Sequence, residues 1–351
     1  MAADQNSFQN EKQKKYTVKI REVIRDLPPF CAAFFRAMEN TTSVLTRYGY
    51  AIDLRGFFQF LTGPIGPYNG CDISSITLSD LNAIRPVNIE EYLDEMTLYQ
   101  KNDQELSNQE RAKARKLATL RSFFKYYFKH EQIDSNVAAL VDQPKLHEKA
   151  IIRLEPNEVA NLLDLADSGE GLTDKQKQFH SQTRVRDVAI LTLFLGTGIR
   201  ISELVGIDVG DIDFDNDAFL VTRKGGSQDL LSFGKEVHDA LAEYMEQRQL
   251  IIPCQGHENA MFLSIQNRRI TARAVEMLVK KYARIAAPLK KITPHKLRST
   301  YGTMLYHESQ DIYLVADVLG HKDVNTTRKH YAAASEDNKR KAARMIRLRE
   351  D

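Results

Sequence analysis

Arg200, Lys224, His295, Arg298, His321 and Tyr331 follow one another through the second half of a 351-residue chain. Side chains this far apart in sequence act on one chemical group only if the chain between them folds back on itself. Residues 200–331 must therefore lie in a single domain. Two arginines, a lysine, two histidines and a tyrosine, with no acidic metal-binding cluster among them, are the groups needed to attack a phosphodiester with a protein side chain.

A chain of 351 residues suits two domains, each able to bury its own core. Hydrophobic residues at 42% and charged residues at 27% describe a folded globular protein. The longest near-apolar stretch, Val188 to Leu195, is far short of a membrane span. The start, MAADQNSFQNEKQKKYT, lacks the apolar core of a signal peptide, so the expectation is a cytoplasmic protein without membrane contact. Cys31, Cys71 and Cys254 are scattered and form no Cys-x-x-Cys pair, which supports neither a disulfide framework nor a zinc ribbon.

The net charge of +2 conceals strong segregation. Seven basic and no acidic residues occupy Arg111 to Lys129, and ten basic residues against one acid, Glu276, occupy Arg268 to Arg298. Residues 201–250 carry eleven acids and four bases. Two strongly positive surfaces are the footprint of a polyanion partner, read here as double-stranded DNA. Arg111, Arg115, Lys116, Arg121 and Lys125 in the first run, and Arg268, Arg269 and Arg273 in the second, are the candidate phosphate contacts.

Periodicity divides the chain. Residues 1–20 are polar and aperiodic and predict a mobile tail. Helical patterns begin near Arg21, strengthen over Thr41 to Leu61 with Leu45, Tyr48, Ile52, Phe57 and Leu61 near one face, and recur at 88–99 and 108–130. In the last of these, Leu117, Leu120, Phe124 and Phe128 form the apolar stripe. Residues 21–143 thus predict an all-helical, DNA-binding first domain, and 144–155 a linker before a helix opened by Pro156. Helices at 156–166, 183–195, 235–250, 271–286, 294–307 and 310–319 surround a stretch, Asp211 to Phe233, that alternates and breaks at Asn216 and Gly225-Gly226. The second domain, 156–334, is therefore mostly helical with one small antiparallel sheet, and the fold is mainly α. Residues 335–351 read as an amphipathic helix able to fold back or to dock on a neighbouring protomer.

Local context sharpens the six residues. Arg200 lies in LGTGIRISELVGI, where glycines end one helix and Ser202 and Glu203 begin the next. Glu203 could orient Arg200 through the turn or serve as a plain first-turn acid. Lys224 sits at a Gly-Gly hairpin. His295 and Arg298, three apart after Pro294, share one face of a helix start. His321 follows Gly320, a helix stop, and Tyr331 is the last tyrosine of the chain.

This ordered set resembles the tyrosine recombinase, or phage integrase, family, closely over residues 156–335 and more loosely in the basic helix RKLATLRSFFKYYF. The resemblance implies the family's fold and a DNA strand transferase without metal or cofactor. It implies that Arg200 and Arg298 hold the scissile phosphate, Lys224 protonates the departing 5′ oxygen, His295 assists proton transfer and His321 hydrogen-bonds the phosphate. Tyr331 then forms a 3′-phosphotyrosyl bond, and Glu203 supports Arg200. It further implies a monomer that becomes a tetramer on two DNA sites, exchanging strands through a Holliday junction, in chromosome dimer resolution or in the movement of a mobile element. Many members place the tyrosine nine residues after the preceding histidine; here that position is His330. Histidine gives no stable ester, so Tyr331 is assigned and the local helix differs by one residue. A type IB topoisomerase and a non-catalytic DNA-binding protein on the same scaffold are the alternatives. A metal-dependent nuclease built on the histidines and the DIDFDND run is a third, although that run alternates like a hairpin.

Overall fold

The computed structural model describes residues 7–101, 104–107, 110–145, 151–223, 226–321 and 323–328. Lys224, Tyr331 and the anticipated C-terminal helix lie outside the described residues. The chain divides into two compact units, residues 1–148 and 149–351.

In the first unit α1 (Ser7–Arg25), α2 (Cys31–Ala37), α3 (Val44–Thr62), α4 (Leu78–Ala83) and α5 (Pro86–Glu95) precede β1 (Leu98–Lys101), β2 (Gln104–Ser107) and α6 (Glu110–Lys129). Helices α3 and α6 supply the two largest shares of the core, with Leu54, Phe57, Phe58, Leu61, Leu117, Leu120, Phe123, Phe124 and Tyr127 buried. Aromatic rings meet edge to face there; Phe34 and Phe123 are 5.2 Å apart at 88°. Asp53, 1% exposed in the middle of α3, ties the two helices. It accepts from Thr119 Oγ1 at 2.9 Å and from Arg115, with Lys116 Nζ 3.6 Å away.

Three sequence expectations for this unit are corrected. The start of the chain is helical from Ser7, because Ile20, Val23 and Leu27 bury at its end and Tyr16 packs edge to face on Tyr48 of α3. The unit is not all helical, since β1 and β2 pair antiparallel with Leu98 opposite Ser107. The apolar stripes are also rotated. Leu45 and Phe128 are exposed, while Phe123 and Tyr127 take the core positions of α6.

In the second unit α7 (Pro156–Ser168) and α8 (Asp174–Thr197) are followed by α9 (Ile201–Leu204), the strands β3 (Ile212–Asp213), β4 (Ala218–Thr222) and β5 (Gln228–Ser232), and α10 (Lys235–Gln249). α11 (Ala272–Ala286), α12 (Pro294–Ser309), α13 (Ile312–Val318) and α14 (Val324–Thr327) complete it. Helix α8 is central: α7, α10 and α12 pack around it, which is why Ala189, Ile190, Leu191, Leu193 and Phe194 bury on every face. It starts at Asp174, nine residues before the first periodic position, because Thr173 caps it through Gln176. Among the described residues no helix is long and apolar enough to cross a membrane.

The sheet runs β3-β4-β5, antiparallel, with Phe219 opposite both Ile212 and Leu231. The DIDFDND run folds as the β3–β4 turn: Asp213 Oδ1 accepts the N–H groups of Asp215 and Asn216 at 3.0 and 3.1 Å. Among the described residues no group of three His, Cys, Asp or Glu side chains is placed to hold a metal ion.

Asp187, 1% exposed, ties α8 to α11. It accepts from Arg186 at 2.7 Å, Lys281 at 2.9 Å, Tyr282 Oη at 3.0 Å and Thr183 Oγ1 at 3.2 Å. Burial and the adjacent carboxylate push the Tyr282 phenol well above its ordinary value, so it remains a donor. Asp187→Ala leaves the cations without their acceptor, a loss of about 3–5 kcal/mol that lowers the melting temperature by roughly 10 °C. Scanning calorimetry of the full chain checks this, and an unchanged melting temperature would show Asp187 to be dispensable.

Candidate active site

Helix α8 ends at Gly198, whose φ of +62° turns the chain back at the helix terminus. A Cβ here would lie 2.4 Å from the Tyr301 ring and 2.8 Å from Leu319, so only glycine lets these elements close on one another. Two residues on, Arg200 immediately precedes α9. Its backbone N–H donates to Glu203 Oε2 at 2.9 Å and its Nη1 to Glu203 Oε1 at 2.8 Å. Glu203 is thus both first-turn acid and arginine support, and it is 4% exposed. Arg200 Nη2 donates to the carbonyls of Leu319 and Gly320 at 3.2 and 3.1 Å, yet a third of its side chain stays open.

Arg298 arrives from α12, which begins at Pro294 after Thr293. It is 4% exposed and donates to Gly198 O at 2.5 Å and to Leu319 O. The two arginines therefore share one acceptor, the carbonyl of Leu319. That oxygen stands where α13 ends through Gly320, at φ +58°, just before His321. His321 Nδ1 is 2.8 Å from the hydroxyl of the fully buried Thr327, which fixes the ring. Arg200, Glu203, Arg298 and His321 are brought together around one carbonyl pair. His295 is exposed one turn before Arg298. Tyr301, whose ring packs against Gly198, has its phenol pushed up by burial, the wrong direction for a nucleophile.

Sequence reasoning missed Arg223. Its Nη1 is 3.4 Å from each carboxylate oxygen of Glu203, and its Nε donates to Asp229 on β5 at 3.0 Å. The signal was present as an arginine and an aspartate flanking the Lys-Gly-Gly turn.

The candidate phosphate contacts separate into two kinds. Arg111, Lys125 and Arg268 are exposed, and so is Arg273, paired with Glu276 at 3.2 Å. Arg115 is half exposed with its guanidinium on Asp53, and Lys116 is largely covered beside the same acid. Arg121 and Arg269 are tied to main-chain carbonyls of their own units. Arg121 donates to Ala138 O, Val141 O and Gln143. Arg269, 9% exposed, donates to Val205 O, Ile207 O and Asp208. Buried main-chain carbonyls need donors, and a guanidinium supplies several from one side chain.

Because two arginines depend on the path of the chain at Gly198, Gly198→Ala is expected to destabilise the protein by about 2–3 kcal/mol through overpacking and a disfavoured backbone angle. Urea unfolding followed by circular dichroism measures it; a midpoint equal to that of the parent protein would show that Tyr301 and Leu319 can move aside.

The chain is similar to several known proteins. Residues 153–338 match the phage integrase family. The tyrosine recombinase XerC of Caldanaerobacter subterraneus subsp. tengcongensis is 33% identical over 313 residues, covering 86% of this chain and 82% of that protein. Among solved structures, the XerH site-specific recombinase bound to palindromic difH substrate superposes with a TM-score of 0.63 at 19% identity, over 86% of this chain and 80% of that one. The Tn1549 transposon integrase in complex with transposon right end DNA gives 0.63 at 19%, over 90% and 98%. These two likenesses establish the fold, and the family match and the XerC relative establish membership: this chain belongs to the phage integrase family of tyrosine recombinases.

Proposed function

We propose that this tyrosine recombinase breaks and rejoins DNA at specific sites through Tyr331, with Arg200 and Arg298 as the phosphate clamp. The observation that carries the reading is the shared Leu319 carbonyl, which holds both guanidinium groups beside His321. Two fixed positive charges at one point are what a phosphodiester gaining negative charge in its transition state requires. Arg200, with a third of its side chain open, meets the phosphate, and Arg298 stiffens the pocket from behind while adding its charge.

In this reading the phenol oxygen of Tyr331 forms a bond to phosphorus as its proton passes to His295. The bond from phosphorus to the 5′ oxygen breaks, and that oxygen takes a proton from Lys224. His321 donates to a non-bridging oxygen. The product, a 3′-phosphotyrosine and a free 5′-hydroxyl, conserves the phosphodiester energy, so a 5′-hydroxyl from a second duplex reseals the strand without ATP or metal. Residue 335 onward would join protomers into a tetramer on two sites. Exposed Arg111, Lys125, Arg268 and Arg273, with the half-exposed Arg115, would contact the backbone of the duplex. The named XerC relative supports recombination over relaxation of supercoils, because the similarity spans both units.

Covalent capture from a library of random-sequence duplexes, in EDTA and then SDS, tests the reading and yields the site. The protein is expected to enrich one family of sequences as an SDS-stable adduct, Tyr331→Phe to give none, and Arg200→Ala or Arg298→Ala to form it at least about 100-fold more slowly. An adduct that persists in Tyr331→Phe, or that needs a divalent cation, would sink the proposed chemistry.

A further inference from the structure

We propose that Arg223 is a positioning residue for release of the 5′ oxygen: clasped between Glu203 and Asp229 over Gly320, it fixes the start of the Lys224 turn against the start of α9. The inference rests on the reading of Lys224 as the proton donor. The backbone of Arg223 closes the β4–β5 turn from both sides, its N–H donating to Ser227 O at 2.7 Å and its carbonyl accepting from Gly226 N at 3.0 Å. Lys224 is the next residue of the chain. Whatever fixes Arg223 therefore fixes the point from which Lys224 departs.

The side chain is fixed tightly. It is 10% exposed, with Nε 3.0 Å and Nη2 2.9 Å from Asp229 Oδ2, and Nη1 3.4 Å from both oxygens of Glu203. A Cβ on Gly320 would lie 2.9 Å from the guanidinium carbon, so the group rests over bare backbone, next to a carbonyl that accepts from Arg200. One planar fork thus touches the hairpin, the helix start and the chain before His321. A lysine has a point charge and no fork, and could not hold two acids at once in this way.

The distances also decide which step this contact serves. Arg200 keeps two bonds to Glu203, at 2.8 and 2.9 Å, and two to carbonyls, at 3.1 and 3.2 Å, without any help from Arg223. Removing Arg223 leaves the phosphate clamp in place. What it removes is the side chain joining the hairpin to Glu203, so the damage falls on the residue that follows. A proton donor displaced by about 1 Å loses on the order of 100-fold in rate.

The experiment uses the full chain and two versions of the selected duplex, one ordinary and one with sulfur in place of the bridging 5′ oxygen. A thiolate leaves without a proton, so the sulfur duplex bypasses the donor. Arg223→Ala is expected to bind both duplexes as the parent does. It should form the adduct roughly 10- to 100-fold more slowly on the ordinary duplex and recover to within about threefold on the sulfur duplex, matching the pattern of Lys224→Ala. Arg223→Lys is expected to share the loss and the recovery, and it replaces the alanine variant if that one fails to fold by circular dichroism. Equal slowing on both duplexes, or no slowing on either, overturns the assignment. An adduct absent from the parent protein counts against the recombinase chemistry itself, which separates the two failures.

Discussion

Two guanidinium groups within hydrogen-bonding reach of one oxygen repel each other, by about 4 kcal/mol at 4 Å in a medium of dielectric 20. The protein holds Arg200 and Arg298 at the Leu319 carbonyl nonetheless, and the surrounding architecture is arranged to make that tolerable. The end of α8 contributes the Gly198 carbonyl, α9 contributes Glu203, and the two residues that follow α13 contribute the Leu319 and Gly320 carbonyls. Val315 and Leu319 pack with Tyr301 and Leu305, so the helix that presents the acceptor is itself anchored on the helix that presents Arg298. Repulsion that the fold has already overcome becomes attraction once an anion enters, and little rearrangement is then needed.

The same electrostatic device recurs. Among the described residues the buried acids are Asp53, Asp187 and Glu203. Each faces two basic side chains: Arg115 and Lys116, Arg186 and Lys281, and Arg200 and Arg223 respectively. A carboxylate beneath two cations fixes their geometry while leaving positive charge in excess. That is how a chain of net charge +2 can present rigid positive features on both of its units.

Much of this was legible in the sequence. The glycines around Arg200, Pro294 before His295 and Gly320 before His321 mark helix ends, and each stands at a helix boundary in the structure. The alternation after Asp211 located the sheet. What escaped was set by tertiary partners. Ser7 to Ile20 is too polar to announce a helix, and it needs the α3 surface under Tyr16 and Ile20 to be one. Phe123 and Tyr127 displace Phe128 from the core of α6 by a rotation that a single apolar stripe does not specify. The carbonyls that Arg121 and Arg269 serve, and the Glu203 carboxylate that Arg223 meets across the fold, are partners that residue type alone does not announce.

Arg121 has a wider meaning. Its guanidinium joins α6 to Ala138, Val141 and Gln143, so the first unit closes its own exit with bonds made entirely inside itself. On the other side of the connecting segment, Leu154 is buried and its N–H donates to Thr300, also within its own unit. Each unit thus seals its end of the connection locally. A gene spliced between these two seals would exchange one unit for another while leaving every bond described here intact.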